Sequence, residues 1–505
     1  MRGIDRITIE NRGVESTLLM EKAGSVVYDF IVKNMKDIKD KKIVVIAGTG
    51  NNGGDALAAA RLLMNHDIDV KVFIIGTKNN LSKDNEINYE FLLKTGLKPE
   101  FINDDKGLHL LEKELPEADI IVDGMFGTGL DKPLKGHYLK AVEFVNKSGK
   151  KIISIDMPSG ISSDTGDILG AAVKADYTVA FGLPKWGHFL SEGLIRRGTL
   201  IVENIGFAKD LLENPEIKNN FLDTATARQL LPKRAPDAHK GACGKVLIIG
   251  GSIGYTGAPI LAAVSALRAG AGLAGICVPE ELNNIFESQS LEIITHPVRS
   301  KNGQFALKSF EAIKNIAKNY DLIILGPGIG RSKEVIKLVG KIIKEINLPK
   351  VIDADALYAM SVLKLYKSRR PVVLTPHPLE FSRLIRKDLK EINSKLLEYI
   401  KKASILYDGV IVYKKYGTII ADKEKIYVNS SGNSALATAG SGDVLSGMIG
   451  AFAAQGLPLD KAAVLAVYIH GLCADEYVKE NDAISMLAGD IISLLPKVMF
   501  QIRNK

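Results

Sequence analysis

Cysteine is scarce in this chain: among 505 residues there are three, Cys243, Cys277 and Cys473. They lie far apart and never as Cys-x-x-Cys, so the sequence suggests neither a disulfide framework nor a zinc site. The apolar core of a signal peptide is also missing from the first residues, "MRGIDRITIENRG". These absences predict a cytoplasmic protein rather than a secreted one.

A long run of one charge sign is missing as well. Lys and Arg number 66 against 58 acids, and the two signs are interleaved along the chain. No nucleic-acid-binding motif accompanies the net charge of +8, so we expect no nucleic-acid partner. The mild positive excess favours anionic ligands such as nucleotides.

One apolar run, residues 257–278, is long enough to raise the question of a membrane span. Its many Gly and Ala residues, and its place after a strand and turn, instead predict a helix packed on a buried sheet and leading into a strand. We therefore expect no membrane partner.

The length and the strand pattern predict two α/β domains. From residue 42 to about 202, β-branched runs such as "KIVVIA" and "KIISID" alternate with helical stretches, which predicts a mostly parallel, doubly wound sheet. A polar segment with no predicted strand, residues 207–241, interrupts this pattern, and a second strand series follows from "GKVLIIGGS" to "EKIYVN". We place the junction near 208–222 and the domains at 1–215 and 222–505.

The first strand ends in a glycine-rich stretch, "GTGNNGGDALAAAR", at residues 48–61. Its glycines permit a tight turn that presents backbone N–H groups, and the following helix directs its positive dipole end at a ligand, so the stretch predicts an anion site. The stretch lacks the G-x-x-x-x-G-K-[ST] of a P-loop, and its glycines, although spaced as G-x-G-x-x-G, are not taken as a proper Rossmann fingerprint, so the sequence supports neither a P-loop NTPase nor a standard Rossmann cofactor site. A purely structural turn is the alternative.

Two more motifs follow later strands, "DGMFGTGL" at 123–130 and "SIDMPSG" at 154–160. If those strand ends are neighbours, oxygens of Asn52, Asp123 and Ser159 would converge as hard ligands for a monovalent or alkaline-earth cation. Asp156 would then be free for acid/base work. The alternative is that the two aspartates only cap turns or helices.

The segments "STLLMEKAG", "GTGNNGGDALAAAR", "VDGMFGTGL" and "IDMPSG", in that order, resemble the NAD(P)H-hydrate epimerase family. The resemblance implies a Rossmann-like domain that interconverts the R and S forms of hydrated NAD(P)H. It implies a potassium site at Asn52, Asp123 and Ser159 and a catalytic acid/base role for Asp156. The substrate contacts that it implies are Asn51, Asn52, Gly53, Gly54, Asp55, Gly127, Thr128, Gly129, Leu130 and Asp156. The chain departs from the family at Ala56, where glycine is common.

The most specific motif is "ATAGSGDVLSG", residues 437–447. Gly440, Ser441 and Gly442 predict a concave set of N–H donors at the start of an apolar helix, suited to the charge of a transferred phosphoryl group. Asp443 at its edge is placed to accept a proton from an attacking hydroxyl. The alternative is an aspartate that merely stabilises the helix dipole.

Five further motifs precede it: "KGACGKVLIIGGSIGYTGAP", "GPGIG", "IDADAL", "TPHPLEF" and "KKYGTII". In "TPHPLEF", His377 lies between prolines after a strand, where it could reach a ligand, although alone it would more often be a satisfied turn residue. In this order the motifs resemble the ribokinase-like superfamily and, within it, the ADP-dependent NAD(P)H-hydrate dehydratases. The resemblance implies that ADP, with Mg²⁺, phosphorylates the 6-hydroxyl of the S hydrate, and that loss of phosphate regenerates NAD(P)H.

The same resemblance implies hydrate contacts at Ala258, Gly328, His377 and Asp443, with Asp443 catalytic. The ADP contacts that it implies are Lys414, Lys415, Tyr416, Gly417, Thr418, Asn433, Ala439, Gly440, Ser441 and Gly442. The chain departs from the branch at Leu379, where glycine is usual, and at Ser434 and Ala435, where proline and glycine are typical. The preference for ADP over ATP rests on resemblance alone.

The leading hypothesis is a bifunctional, homo-oligomeric repair enzyme that uses K⁺, Mg²⁺ and ADP. A ribokinase-like small-molecule kinase fused to a nucleotide-binding domain is the second hypothesis, because the glycine-aspartate hole is shared across that superfamily. A first domain that only binds nucleotide, as a scaffold or sensor, is the third.

Overall fold

A computed structural model describes residues 1–214, 217, 219–289 and 291–504 of the chain. The chain divides into two compact units, Met1–Ile217 and Lys218–Lys505. Among the described residues, no helix is both long and apolar enough to cross a membrane.

The first unit is built on a seven-stranded sheet in the order β3-β2-β1-β4-β5-β6-β7, and every pairing is parallel. Its strands are β1 (Lys42–Ala47), β2 (Asp69–Ile75), β3 (Glu100–Ile102), β4 (Ile120–Gly124), β5 (Lys151–Ile155), β6 (Tyr177–Phe181) and β7 (Thr199–Glu203). Its helices are α1 (Arg2–Arg6), α2 (Ser16–Asn34), α3 (Asn51–Met64), α4 (Lys83–Lys94), α5 (Asp105–Glu114), α6 (Gly136–Lys147), α7 (Ser191–Arg196) and α8 (Lys209–Leu212).

Apolar side chains cover both faces of this sheet. In β1, Val45 packs in a core with helices α2 and α3, whereas its neighbour Val44 packs in a separate core with α5 and α6. Because successive strand residues point to opposite faces, a strand with helices on both sides must be apolar throughout, as "KIVVIA" is. The predicted doubly wound parallel sheet is confirmed.

The second unit contains a ten-stranded sheet in the order β11-β10-β9-β14-β15-β16-β17-β18-β19-β8. The strands from β11 to β17 are parallel, β18 is antiparallel to both neighbours, and β12 and β13 form a separate hairpin. The strands are β8 (Asn219–Phe221), β9 (Lys245–Ile249), β10 (Leu273–Pro279), β11 (Ile294–Val298), β12 (Ser300–Lys301), β13 (Gln304–Phe305), β14 (Leu322–Leu325), β15 (Lys350–Ile352), β16 (Val372–Leu374), β17 (Gly409–Tyr413), β18 (Ile419–Ala421) and β19 (Ile426–Val428).

The helices of this unit are α9 (Thr224–Leu230), α10 (Gly257–Arg268), α11 (Asn283–Glu287), α12 (Phe310–Ala317), α13 (Lys333–Glu345), α14 (Asp355–Leu363), α15 (Pro378–Ile385), α16 (Leu389–Ser394), α17 (Leu396–Leu406), α18 (Ser441–Ala454), α19 (Leu459–Tyr477) and α20 (Ala488–Asn504). The apolar run at 257–278 forms α10 and most of β10, as predicted, and α10 packs closely against α18. A Cβ placed on Gly447 of α18 would lie 2.0 Å from the Ser265 Oγ of α10.

One fold prediction was wrong. The segment 207–241 was expected to contain no strand, but β8 lies within it and pairs in parallel with β19 at the sheet edge. A three-residue edge strand is held by backbone hydrogen bonds to one neighbour, so its sequence need not carry the apolar pattern that marks an internal strand.

Candidate active sites

The glycine-rich loop of the first unit connects β1 to α3, and two of its glycines, Gly48 and Gly53, lie where a side chain would clash with backbone. A Cβ placed on Gly48 would lie 2.0 Å from Met125 O, and one on Gly53 would lie 1.9 Å from Gly48 O. The buried Asn85 side chain of α4 fastens this loop, because its Nδ2 donates to Gly48 O at 3.1 Å and Gly50 O at 2.8 Å. The first N–H groups of α3 have no acceptor within the helix, so the loop presents donors to an anion.

Asp123 lies at the carboxyl end of β4 and is fully buried. Its carboxylate accepts hydrogen bonds from Ser154 Oγ at 2.7 Å, Ser159 Oγ at 2.6 Å and Ser159 N at 2.9 Å. Burial raises the pKa of Asp123, and these hydrogen bonds partly offset the rise. The structure therefore brings Asp123 and Ser159, two of the three expected potassium ligands, into direct contact.

Asn52, the third expected ligand, faces the second glycine turn. A Cβ placed on Gly127 would lie 2.8 Å from Asn52 Oδ1 and 3.1 Å from Asp156 Oδ2. The Asn52 Nδ2 is buried and has no hydrogen-bond partner among the described residues. Amide, carboxylate and hydroxyl oxygens suit a hard cation. Among those residues, no group of three or more His, Cys, Asp or Glu could hold a metal ion.

Asp156, immediately after β5, is almost fully buried and has a left-handed backbone, with φ at 64°. Its carboxylate forms an ion pair with the Lys185 ammonium, which also donates to Phe181 O at 3.1 Å. Burial alone would raise the pKa of Asp156, but the Lys185 charge and hydrogen bond outweigh it and hold the pKa below its ordinary value. Asp156 is therefore a carboxylate at neutral pH.

The side chain of His188 contacts the backbone carbonyl of Asp156 and so helps to fix the position of that residue. The His188 Nδ1 accepts a hydrogen bond from Lys185 N at 3.1 Å, so its Nε2 carries the proton and donates to Asp156 O at 2.8 Å. Burial and the Lys185 charge lower the pKa of His188 to about 3, so the ring stays neutral. Lys185 and His188 were not found from the sequence, although Lys185 lies only four residues after the end of β6.

A second carboxyl group is coupled to Asp156. Burial raises the pKa of Asp55 well above its ordinary value, and the negative charges of Asp156 and Asp5 raise it further. Two coupled carboxyl groups whose pKa values are displaced in opposite directions can provide a proton donor and a proton acceptor together.

The remaining expected contacts of this site lie on the same two loops. Asn51 Oδ1 accepts from Ser82 Oγ at 2.7 Å, and Gly54 is buried against Met20. Thr128 O accepts from Ser163 Oγ at 3.5 Å, Gly129 is exposed, and Leu130 packs on the core below the sheet.

In the second unit, α18 begins at Gly440, whose φ of 86° is a left-handed conformation that favours glycine. Ser441, Gly442 and Asp443 form the first turn of this apolar helix, so its free N–H groups and dipole point away from the sheet core.

A cleft of about 680 Å³ opens beside this turn. Eight of the ten expected ADP contacts line it: Lys414, Lys415, Tyr416, Gly417, Thr418, Asn433, Ser441 and Gly442. Ala439 and Gly440 lie outside the lining. His470 of α19 also lines the cleft and was not found from the sequence; its Nε2 approaches Ser441 O at 3.0 Å, and burial lowers its pKa to about 4.

Asp443 belongs to a group of buried charges. Burial and the negative charge of Asp353 raise the pKa of Asp443 to about 7, which suits a general base at neutral pH. Asp353, directly after β15, accepts from Lys414 Nζ at 2.8 Å and Ser446 Oγ at 2.6 Å.

The expected hydrate contacts lie on neighbouring loops. A Cβ placed on Gly328 would lie 3.4 Å from the Ala258 Cβ, so these two residues are adjacent. His377 caps α15: its Nδ1 accepts from Leu379 N at 3.2 Å and Glu380 N at 3.4 Å, and its backbone N–H donates to Glu380 Oε2 at 2.9 Å. His377 therefore serves as the cap of this helix, as the bland interpretation predicts. Its ring nevertheless remains half exposed, and the charges of Lys414 and Asp353 influence its pKa.

Comparison with known proteins decides the family. Residues 246–497 match a family model described as NAD(P)H-hydrate dehydratase, and residues 16–187 match one described as YjeF-related protein N-terminus. The chain is 37% identical to the bifunctional NAD(P)H-hydrate repair enzyme Nnr of Thermofilum pendens, over 99% of this chain and 95% of that protein. It is 35% identical to the enzyme of the same name from Moorella thermoacetica, with the same coverage of 99% and 95%. The chain belongs to the family of bifunctional NAD(P)H-hydrate repair enzymes.

A solved structure supports the fold of the second unit. The ADP/ATP-dependent NAD(P)H-hydrate dehydratase from Bacillus subtilis, co-crystallised with ATP and Mg²⁺, is 30% identical and superposes with a TM-score of 0.50. It covers 57% of this chain, and 99% of that chain is matched.

The departures from the pattern of this repair-enzyme family have local explanations. The Ala56 side chain is fully buried, and a Cβ placed on Gly124 would lie 2.4 Å from its methyl group, so the methyl group fills space against a glycine of β4. Leu379 is half exposed in the first turn of α15. Ser434 and Ala435 form a short 3-10 turn that Asn433 caps by accepting from Ala435 N at 3.0 Å.

Proposed function

We propose that this chain repairs hydrated NAD(P)H in two steps: it equilibrates the R and S hydrates and then dehydrates the S form at the expense of ADP. We assign the first activity to residues 1–215 and the second to residues 222–505. The observation that carries the proposal is that in each unit of this family member a group of coupled acids lies beside a glycine-rich turn at the carboxyl ends of parallel strands.

In the epimerase site, the dinucleotide phosphates bind the loops at 51–55 and 127–130, where the N-terminus of α3 faces them. Asp156, held ionised by Lys185, exchanges the proton that epimerisation requires. Asn52, Asp123 and Ser159 would hold K⁺, which supplies positive charge beside the substrate phosphate.

In the dehydratase site, the oxygen of the 6-hydroxyl attacks the β-phosphorus of ADP. A P–O bond forms, the P–O bond to AMP breaks, and the hydroxyl proton passes to Asp443. The C6–O bond then breaks, phosphate leaves with the electron pair, and a proton is lost from the neighbouring ring carbon, which restores NAD(P)H. Mg²⁺ enters with ADP and neutralises charge on its phosphates; no residue is assigned to it.

Two further expectations belong to this proposal: where the protein is located and whether it self-associates. The three cysteines, all within the described part of the chain, are free thiols, in keeping with a cytoplasmic enzyme. Self-association into a homo-oligomer is inferred from the resemblance alone.

The test mixes the full chain with both hydrate epimers and follows the return of NADH absorbance, with ADP in one arm and ATP in another. Full recovery of both epimers is expected with ADP, together with AMP and phosphate. No recovery with either nucleotide would contradict the proposal. A stable phosphorylated product, seen by mass spectrometry, would favour a small-molecule kinase instead.

A further inference from the structure

The motif "IDADAL" contains a buried acid that is not among the expected contacts of either ligand. Asp353 ends β15, and its side chain is only 2% exposed. Both of its oxygens accept hydrogen bonds: Oδ1 from Lys414 Nζ at 2.8 Å and Ala354 N at 2.9 Å, and Oδ2 from Ser446 Oγ at 2.6 Å. Asp353 thus joins three different elements: its own loop, the end of β17 and the second turn of α18.

The geometry also fixes where the Lys414 ammonium lies. A Cβ placed on Gly442 would lie 3.3 Å from Lys414 Nζ and 3.9 Å from Asp353 Oδ2. The ammonium is therefore beside the first turn of α18, between the buried carboxylate and the backbone N–H groups of the cleft. Lys414 and Gly442 both line that cleft, and the Lys414 side chain is 21% exposed.

We propose that Asp353 is a positioning residue for phosphoryl transfer: it holds the Lys414 ammonium over Gly442, where that cation stabilises negative charge developing on the transferred group. This inference rests on the proposed function, because it takes the phosphoryl group to bind at the first turn of α18. A fixed charge aimed at developing charge lowers the barrier more than a mobile one, since it need not reorient during the reaction. The neutral partner Ser446 orients the carboxylate without competing for the cation.

Asp353 and Lys414 also influence the pKa of Asp443, the proposed general base. The charges of Asp353, Lys414 and Asp355 shift the pKa of Asp443. The charges of Asp353, Glu380 and Asp443 shift the pKa of Lys414. Glu380 in turn is influenced by the charges of Lys414, Asp353 and Arg331, and it accepts the backbone N–H of His377. Asp353 raises the pKa of Asp443 and Lys414 lowers it. Since Asp443 must be deprotonated to act as a base, activity rises with pH through this pKa, and the two residues should move that rise in opposite directions.

The experiment measures dehydratase kcat and KM across pH for the full chain and for Asp353→Asn, Lys414→Met and the double variant. We expect Asp353→Asn to lower kcat roughly 100-fold with KM for the hydrate changed by less than about threefold. The acidic limb of its pH profile should move to lower pH by about one unit, and that of Lys414→Met should move to higher pH by a similar amount. In the Lys414→Met background, Asp353→Asn should cause little further loss of kcat, because its effect passes through the lysine.

Asp321→Asn is the matched control, since this exposed acid precedes β14 at the opposite end of the sheet, where it accepts from Lys245 N at 2.8 Å. It should leave kcat and the pH profile unchanged. The inference would be overturned if Asp353→Asn lowered kcat equally with and without Lys414→Met. It would also be overturned if the acidic limbs of the two single variants moved in the same direction or did not move. If Asp353→Asn does not fold by circular dichroism, Ser446→Ala takes its place, since it removes a hydrogen bond that orients the Asp353 carboxylate. A loss of kcat from Ser446→Ala that disappears in the Lys414→Met background supports the inference, and equal losses in both backgrounds overturn it. Failure of the proposed function is distinguishable, because the unmodified chain would then return no NADH.

Discussion

At the scale of single residues, backbone strain lies next to the buried carboxylate of Asp353. Ala354 has φ at 49° and ψ at −122°, a region that costs a residue with a side chain about 1–3 kcal/mol. Ala354→Gly should therefore raise the free energy of unfolding of the second unit by about 1 kcal/mol, after subtracting the entropy of glycine. Denaturant unfolding followed by circular dichroism measures this. Ala359→Gly, inside α14, is the control and should lower it by about 1 kcal/mol or more; equal losses from both variants would refute the strain argument.

A second residue-scale prediction concerns Lys185. Because this ammonium holds the pKa of Asp156 down, Lys185→Met should raise that pKa and leave part of Asp156 protonated at pH 7. Epimer exchange should then slow at neutral pH by roughly tenfold or more and recover as the pH is raised. Chromatographic separation of the R and S hydrates over a pH series measures the rate.

Lys174→Met, at an exposed position of the same unit, controls for loss of a positive charge and should leave the profile unchanged. A slower Lys185→Met enzyme with the pH profile of the unmodified chain would show that the lysine does not act through Asp156.

At the scale of elements, the contact between β4 and α3 explains why this chain tolerates alanine at position 56. A Cβ on Gly124 would lie 2.4 Å from the Ala56 methyl group, so the space between these two residues has room for one methyl group and not two. Gly124→Ala should therefore lower the free energy of unfolding by about 2 kcal/mol, as overpacking does. The double variant Gly124→Ala, Ala56→Gly moves the methyl group to the other partner and should recover part of that loss.

Thermal unfolding of the two single variants and the double variant gives the coupling between the positions. Additive losses would mean that the two residues do not share this space. The double variant should recover only part of the lost free energy of unfolding, because a Cβ on Gly124 would also lie 3.2 Å from Asn52 O.

Elements also mark the limit of what the sequence could predict. Internal strands such as β1 and β9 are buried on both faces, so their apolar runs identify them and the acids and glycines that follow them. The edge strand β8 carries no such pattern and was missed. Lys185 and Asp353 follow strands as well, but their roles come from partners 29 and 61 residues away in the chain, Asp156 and Lys414, and local patterns do not reveal such pairings.

At the scale of the whole molecule, two units with separate cores and separate groups of acids predict activities that can be removed one at a time. Asp156→Ala should abolish catalysed epimer exchange and keep ADP-dependent return of NADH from the S hydrate. Asp443→Asn should do the reverse, because its amide cannot accept the hydroxyl proton.

An equimolar mixture of these two variants tests whether the S hydrate passes between the activities through solution. Supplied with the R hydrate and ADP, Asp156→Ala alone should return NADH only at the uncatalysed rate of epimerisation, and Asp443→Asn alone should return none, whereas the mixture should convert the hydrate fully. The physical reason is that each unit carries its own group of buried acids, so an intermediate released by one chain can bind another. A mixture as slow as the single variants, beside a fast unmodified chain, would show instead that both sites must lie on the same chain.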